Sequence, residues 1–335
     1  MEVRFKKPTI DLVVPCYNEE DGLTHFVEET NKIISTLPGY DFNYILINDG
    51  SKDKTYLVIK NLASTYSNIK YISLSRNFGK EAAMYAGLRN TTGDYVIVMD
   101  SDLQHPPSLF PQFLEAMQEG YDCCQCMRSS RVGESKIHSA FSRTFYRLSN
   151  KITDVKMPHG AVDYRIMRRQ VVDSILELCE VQRFTKGIFS WVGFNTKWIP
   201  YENVAREIGA TKWSFWGLFK YAIDGITAFS VAPLRFIAFL GFTISSLAFL
   251  YMLVVIIQTL IFGKDLPGYA TTISISLFIG GITEFSIGIL GEYIGRIYME
   301  AKDRPVYICS KTNIEDFKTA KAPLNTQEAT PAKED

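Results

Sequence analysis

The chain is predicted to be an α/β protein, a doubly wound domain built on a parallel sheet and followed by two apolar helices that cross a membrane. Three observations carry this. Apolar strand-like runs alternate with helix-like stretches through the first hundred residues, the pattern of a sheet with helices on both faces. One of those runs, Tyr95-Val-Ile-Val-Met99, ends abruptly in Asp100-Ser-Asp102. No charged residue occurs between Arg235 and Lys264, and about 20 apolar residues already suffice to cross the hydrocarbon core as a helix.

The elements follow in order. Ile10-Asp-Leu-Val-Val14 is the first strand, with a helix-like stretch to about Leu37. Tyr44-Ile-Leu-Ile47 is the second, with helix to about Tyr66. Ile69 to Leu74 is the third, with a third helix from Gly79, and Tyr95 to Met99 is the fourth strand. Uninterrupted apolar runs of this kind are strands buried on both faces, and in such sheets ligands bind beyond the carboxyl ends. Each strand ends in a polar cluster: Pro15-Cys-Tyr17-Asn18-Glu19, Asn48-Asp49-Gly50-Ser51, Arg76-Asn77-Phe78-Gly79 and Asp100-Ser-Asp102. Four clusters therefore converge on one rim, with Asp53 placed to cap the helix after the second. No Gly-x-Gly-x-x-Gly follows the first strand and no Gly-x-x-x-x-Gly-Lys-Ser/Thr is present. The dinucleotide fingerprint and the P-loop are thereby unsupported, and a nucleotide would be held by metal and carboxylates.

Side chains two apart on an extended segment point the same way, so Asp100 and Asp102 are placed to share one hard divalent cation, Mg²⁺ or Mn²⁺. The Gln104 amide oxygen is a third candidate ligand, and substrate phosphates would take the remaining positions. The alternative is an Asx-turn capping the helix that His105-Pro106-Pro107 introduces. The polar clusters around it favour the metal.

Composition excludes more than it identifies. In 335 residues, 36 Lys and Arg balance 36 Asp and Glu, so no nucleic acid or other polyanion is indicated as a partner. Six cysteines include Cys123, Cys124 and Cys126, but no second Cys or His pair stands at metal-ligand spacing, and they read as reduced thiols. Residues after about Thr312, rich in Lys, Ala, Thr, Glu and Pro, are expected to be disordered.

A second apolar segment, from about Ala270 to about Ile297, carries only Glu284 and Glu292 before Arg296 at its end. Two spans return the chain to its starting side. The loop between them holds one Lys and one Asp, whereas Lys212, Lys220 and Arg235 precede the first span and Arg296, Lys302 and Arg304 follow the second. By the positive-inside rule the N-terminal domain and the tail are expected to be cytoplasmic, at an inner or plasma membrane; the lack of an N-terminal signal sequence fits that start. Gly281, Glu284, Gly288, Gly291 and Gly295 share one helical face, which lets a second backbone approach closely and predicts a homo-oligomer with Glu284 protonated or hydrogen-bonded in the contact. Arg143, Arg147 and Lys151 recur every four residues beside Phe141, Phe145, Tyr146 and Leu148, as in a helix lying on a membrane surface. Trp213, Phe215, Trp216 and Phe219 have the aromatic character of the headgroup level.

Taken together, Pro15-x-Tyr17-Asn18-Glu19, Asp49-Gly50-Ser51-x-Asp53, Asn77-x-Gly79-Lys80 and Asp100-x-Asp102-x-Gln104 resemble the inverting, nucleotide-sugar-dependent glycosyltransferases of family 2. Gly160-Ala-Val-Asp163-Tyr-Arg165, Arg183-Phe184-x-Lys186-Gly187, Thr211-Lys212-Trp213 and Gly288-Ile-Leu-Gly291-Glu-Tyr-Ile-Gly295-Arg296-Ile-Tyr-x-Glu300-x-Lys302-x-Arg304-Pro305 resemble its membrane-bound branch. That branch charges polyprenyl phosphate with a sugar, as in bacterial undecaprenyl-phosphate glucosyltransferases and dolichol-phosphate mannose synthases. The match covers about residues 10 to 308; His105 stands where the bacterial members often carry Asp.

The resemblance implies a GT-A, Rossmann-like domain over residues 1–205, an interfacial amphipathic segment over 206–232, transmembrane helices over 233–263 and 269–298, and a cytoplasmic tail over 299–335. It implies transfer of a hexose, with glucose favoured, from a UDP-sugar to polyprenyl phosphate for cell-envelope glycan modification. Other donors, such as UDP-N-acetylhexosamine or GDP-mannose, remain open. A processive polysaccharide synthase would carry a Gln-x-x-Arg-Trp motif and more spans, and intact Asp100, Asp102 and Asp163 argue against a non-catalytic scaffold. A flippase and a second membrane glycosyltransferase are implied partners if the product acts across the membrane.

The resemblance puts Asp163 in the base position. Because an anionic diphosphate and a lipid phosphate must meet, cations are the scarce requirement, and Arg128, Arg131, Arg206 and Lys212 are candidates to hold them. Asp49 is the expected partner of the base or ribose, with Pro15, Tyr17 and Glu19 shaping the same pocket; Lys80, in the third-strand motif, is a further substrate-binding candidate.

Overall fold

A computed structural model describes residues 6–128, 160–178, 180–201, 227–262 and 268–320. Its centre is an eight-stranded mixed sheet of order β7-β5-β6-β4-β1-β2-β3-β8. The strands are β1 (Thr9–Cys16), β2 (Asp41–Asn48), β3 (Ile69–Leu74), β4 (Tyr95–Val98), β5 (Cys123–Arg128), β6 (Ala161–Arg168), β7 (Thr196–Tyr201) and β8 (Cys309–Thr312). The first four are parallel neighbours, as the alternation of strands and helices predicts. Beyond β4 the sheet turns mixed, because β6 runs antiparallel to both β4 and β5.

Both faces of the parallel strands are covered, which is why they read as unbroken apolar runs. β1 sends Ile10, Leu12 and Val14 into one layer and Val13 into the other. The first layer is closed by α1 (Leu23–Ile34), α2 (Thr55–Thr65) and α4 (Phe110–Gln118), through Phe26, Ile59, Phe110 and Phe113. The second is closed by α3 (Lys80–Arg89), α5 (Arg169–Glu177) and α6 (Thr185–Trp191), through Met84, Tyr85, Val172 and Ile188. Each such side chain, fully buried, contributes about 1.5–3 kcal/mol.

Two long helices follow, α7 (Ala232–Phe262) and α8 (Tyr269–Ala301), both long and apolar enough to cross a membrane. Their apolar side chains face outward: Phe242 is 72% and Leu260 80% exposed, the arrangement expected of surfaces made for lipid rather than water. No heavy atom lies within 4 Å of a Cβ built on Gly281, Gly288, Gly291 or Gly295, and Glu284 is exposed, so the glycine face is not covered by α7.

After α8 the chain returns to the sheet. β8 pairs antiparallel with the edge strand β3, Ile72 opposite Thr312 and Ser73 opposite Lys311. The expectation of disorder after about Thr312 is corrected for residues 313–320. Asn313 accepts from Tyr71 N–H at 2.7 Å and donates to Ile69 O at 3.2 Å, and Lys318 N–H donates to Asn90 Oδ1 at 2.7 Å. Tyr307, 2% exposed, packs against Tyr85 and Phe317. Two aromatic anchors suffice to order a segment whose average composition is polar.

The basic stripe at Arg143, Arg147 and Lys151 and the aromatic cluster from Trp213 to Phe219 lie outside the described residues, as do Arg131, Arg206 and Lys212. Among the described residues five cysteines are free thiols.

Candidate active site

The carboxyl ends of β1 to β4 lie side by side, so their four polar clusters form one rim. The loops brace one another through side chains. Asn18 N–H donates to Ser51 Oγ at 3.0 Å, Glu19 N–H to Thr55 Oγ1 at 2.8 Å, and Lys52 N–H to Asn18 Oδ1 at 2.9 Å. Pro15, Tyr17 and Glu19 are thereby held half-buried beside the loop after β2. Asp53, expected to cap α2, stands one residue before its N-cap position, Lys54, and accepts Thr55 N–H at 3.0 Å.

Asp49 is buried, and both of its oxygens are engaged: Oδ1 accepts Phe78 N–H at 2.8 Å and Oδ2 accepts Gly79 N–H at 3.0 Å. Burial pushes its carboxyl up, against the pull of those two amides. Expected to meet the base or ribose, it here ties the loop after β3 to the end of β2 and so sets the start of α3. Gly50 makes that closeness possible. Its φ is +60°, and a Cβ there would stand 2.2 Å from the Arg76 carbonyl carbon, a conformation and a contact that only glycine accepts.

Asp100 and Asp102 lie past the end of β4, but not on an extended segment as the spacing argument assumed. The chain turns there: Leu103 has φ 55° and Gln104 N–H donates to Asp102 Oδ1 at 3.2 Å, an Asx-type turn. The turn is braced by His105, which is 2% exposed, stacks on Tyr164 with ring centroids 5.0 Å apart, and accepts Asp100 N–H on Nδ1 at 3.3 Å. Burial lowers its basicity, so the 3.8 Å approach of Nδ1 to Asp100 Oδ2 is made by a neutral ring. His105 thus builds the turn that presents the aspartates.

Asp163 reaches the rim from the antiparallel strand β6. Val98 pairs with Arg165, and continuing that register places Asp163 opposite Asp100. Lys80 stands between them, Nζ 2.6 Å from Asp100 Oδ1 and 3.0 Å from Asp163 Oδ2. Burial works against charge on all three groups, yet the two carboxylates hold the Lys80 ammonium above its ordinary value and Lys80 holds both acids below theirs. Lys186 and Arg165 add to the depression of Asp163.

Three further charged groups, given no role by sequence reasoning, bear on the charge of this cluster. Arg165 is fully buried, its guanidinium 3.4 Å from the Phe189 ring centroid, and burial lowers it to about 10. Glu81 Oε2 accepts Thr185 N–H at 3.0 Å, fastening the start of α6, and burial followed by repulsion from Asp163 raises Glu81 to about 7. Lys186 is the second residue of α6. Arg165 and Lys186 stood in quoted motifs without a role, while nothing local marked Glu81. Arg128 is the last residue of β5, in register with Tyr201.

The donors fit a hard divalent cation. Two carboxylates and an amide oxygen suit Mg²⁺ or Mn²⁺ rather than a soft metal, and the acid cluster already gathers a positive charge from Lys80. Among the described residues no three His, Cys, Asp or Glu converge on one point, so such a cation would complete its shell from the substrate's phosphates.

An α/β rim of this kind, carrying an aspartate pair and a facing acid beside a lysine, followed by a helical hairpin, defines a GT-A type transferase. Residues 11–176 match the family described as Glycosyl transferase family 2, and residues 232–297 match the GtrB C-terminal hairpin. The chain is 44% identical to CsbB of Bacillus subtilis (strain 168), provisionally named a glycosyltransferase, over 92% of this chain and 93% of that one. It is 41% identical to the SfII prophage-derived bactoprenol glucosyl transferase of Shigella flexneri, over 91% of this chain and 98% of the relative. A bactoprenol glucosyl transferase homolog from an Escherichia coli (strain K12) prophage is 41% identical over 90% and 98%. The chain belongs to glycosyltransferase family 2. Among solved structures, glucosyl-3-phosphoglycerate synthase from Mycobacterium tuberculosis, in complex with Mn²⁺, UDP-glucose and phosphoglyceric acid, superposes with a TM-score of 0.44 at 18% identity, over 66% of this chain and 78% of that one.

Proposed function

We propose that this protein transfers glucose from UDP-glucose to a polyprenyl phosphate at the cytoplasmic face of the membrane, with inversion at the anomeric carbon. The observation that carries the reading is the Asp100–Lys80–Asp163 arrangement on a rim whose chain continues into two apolar helices, in a protein similar along most of its length to bactoprenol glucosyl transferases. The polarity of the flanking charges supports the orientation, with Arg235, Arg296, Lys302 and Arg304 on the domain side of the hairpin.

In this reading Asp100, Asp102 and Gln104 hold Mg²⁺ or Mn²⁺, which when bound neutralises charge on the departing diphosphate. Lys80, beside Asp100, faces the same phosphates. An oxygen of the acceptor phosphate forms a bond to the anomeric carbon as the bond to the β-phosphate oxygen breaks, and that electron pair leaves with UDP. The acceptor's second ionisation falls near pH 6, as for other phosphate monoesters, so it arrives largely as a dianion. Asp163, held anionic well below the usual carboxylate range, is correspondingly a weak proton acceptor, and its work is to orient the nucleophile or the sugar hydroxyls. Arg128, Arg131, Arg206 and Lys212 supply positive charge for the acceptor phosphate or the diphosphate. Asp49, with Pro15, Tyr17 and Glu19, shapes the nucleotide end. A homo-oligomer through the glycine face of α8, and a flippase and second membrane glycosyltransferase that use the product, complete the proposal.

The test incubates the purified protein with undecaprenyl phosphate, Mn²⁺ or Mg²⁺ and radiolabelled UDP-, GDP- and dTDP-sugars, beside Asp102→Ala, and counts label in the organic phase. Metal-dependent transfer from UDP-glucose, lost in the variant, is expected. Label from a different donor alone would overturn the sugar assignment, and no label from any donor would overturn the reaction.

A further inference from the structure

Helix α3 carries Lys80 and Glu81 in its first turn, and every residue from Ala82 to Leu88 is buried. A helix buried all round needs cover on every side. The sheet supplies one side: a Cβ on Gly87 would stand 2.4 Å from Val13 Cγ1 and 2.8 Å from Ile47 Cδ1, so the helix lies flat against β1 and β2. Tyr85, two residues earlier, falls on the opposite side of the helix. There it meets Tyr307 edge-on, with ring centroids 6.2 Å apart.

Tyr307 belongs to the segment that returns from the hairpin of α7 and α8, and that segment grips α3 along its length. Phe317 packs edge-on against Tyr307 with centroids 6.5 Å apart, and Tyr307 OH donates to Lys318 O at 2.8 Å. At the far end of the helix its C-cap, Asn90, donates to Lys318 O at 3.2 Å while accepting Lys318 N–H, and Arg89 Nε donates to Thr319 O. Ahead of the helix, Ser75 N–H donates to Ile308 O at 2.9 Å and Ser310 Oγ donates to Ser73 O at 3.0 Å. One segment thus brackets the loop from Arg76 to Gly79 and the helix it leads into. The hairpin reaches Tyr85 by a second route as well. Glu300 accepts Val181 N–H at 3.0 Å and Gln182 N–H at 3.2 Å, and Arg183, next in the chain, sets its guanidinium 4.3 Å from the Tyr85 ring centroid.

We infer that the segment from Tyr307 to Thr319 is a brace for the active site, with Tyr307 and Phe317 as positioning residues that hold α3, and through it Lys80, in place between Asp100 and Asp163. The contacts it protects are short: Lys80 Nζ lies 2.6 Å from one carboxylate and 3.0 Å from the other. A misplacement of about 1 Å in such an arrangement can cost on the order of a hundredfold in rate. From Lys80 to Asn90 the helix rises only about 15 Å, so movement at its braced end is carried to its first residue. The kinetic side of this inference rests on the transferase reading of the site.

The test uses the full chain in detergent and compares wild type, Phe317→Ala, Lys80→Met and the double variant. Phe317 is half-buried, so its truncation loosens the brace without emptying the core. Hydrogen exchange in Phe317→Ala should quicken over residues 76–84 and keep the wild-type rate over residues 96–105, and Phe317→Leu should restore most of the protection. Unchanged exchange over residues 76–84 would overturn the brace. Equal quickening of both stretches would show a general loss of stability and overturn it too. Turnover with UDP-glucose and polyprenyl phosphate should fall roughly tenfold in Phe317→Ala, yet fall no further when the same change is added to Lys80→Met, because the loss acts through Lys80. Losses that multiply in the double variant would overturn that route. Tyr307→Phe, which removes only the hydroxyl bonded to Lys318, should show the same pattern at smaller amplitude. It decides the question if Phe317→Ala yields no folded protein, wild-type exchange over residues 76–84 then overturning the brace. Quickened exchange in the variants of a protein whose wild type transfers no sugar would overturn the reaction while leaving the brace standing.

Discussion

The Lys80 ammonium lies 2.6 Å from Asp100 Oδ1, occupying the carboxylate that a divalent cation would need. Lysine and metal therefore compete for one oxygen until substrate phosphates give the lysine another partner. Lys80→Met is expected to tighten Mn²⁺ binding in the absence of nucleotide while lowering turnover. Mn²⁺ titration followed by electron paramagnetic resonance reads the first effect directly, and an affinity unchanged or weakened in Lys80→Met would mean the two cations do not compete.

Glu81 adds a pH dependence. Its folded-state pKa, about 7, stands above the ordinary 4.5, so the stability linked to its proton is complete below about 4.5 and is lost as pH rises through about 7. The charged groups bearing on it are Asp163, Lys80 and Lys186, together with Arg165; Asp163 and Asp100 titrate below this window. Unfolding midpoints measured from pH 5 to 8 should show wild type losing ground to Glu81→Gln as pH rises. A constant difference between the two would remove Glu81 as the source.

Gly50→Ala should be costly, because the new methyl group meets the backbone of Arg76 and Asn77 and the positive φ disfavours any side chain. A loss of more than about 1 kcal/mol is expected, with weaker UDP binding as the loop leading to Lys80 shifts. Denaturant titration measures the first and calorimetry the second. An unaltered midpoint would show that the loop after β3 yields without penalty.

Glu300→Ala releases the amides of Val181 and Gln182. Hydrogen exchange across residues 181–187 should quicken, and Glu300→Asp should restore part of the protection. Unchanged exchange in the alanine variant would indicate that the hairpin does not hold this segment.

The four parallel strands and their polar ends were legible because a strand buried on both faces leaves an apolar run that stops where solvent begins. Asp100, Asp102 and Asp163 were legible as motif residues, but that Lys80 sits between Asp100 and Asp163 was not. That relation depends on β6 entering antiparallel beside β4, a pairing no local pattern announces. Glu81 was invisible for a similar reason: its environment is assembled from α6 and β6, far away in the chain. β8 was missed because Cys309–Thr312 is four residues long and its partner, β3, precedes it by more than two hundred positions. The polar residues after Thr312 concealed Phe317, which contributes to the packing around Tyr307.

That late strand bears on how the protein is made. β8 emerges only after both apolar helices, yet it closes the edge of a sheet whose other strands emerge before them. Until then β3 presents an open row of backbone donors and acceptors, the kind of edge that recruits wrong partners. A nascent chain that threads a single span delivers Tyr307 and Thr312 to the opposite side of the bilayer, where neither Tyr85 nor β3 can be reached. On the membrane orientation proposed above, completion of the sheet requires both ends of the hairpin on one side, and a mis-threaded molecule would leave the edge of β3 unpaired.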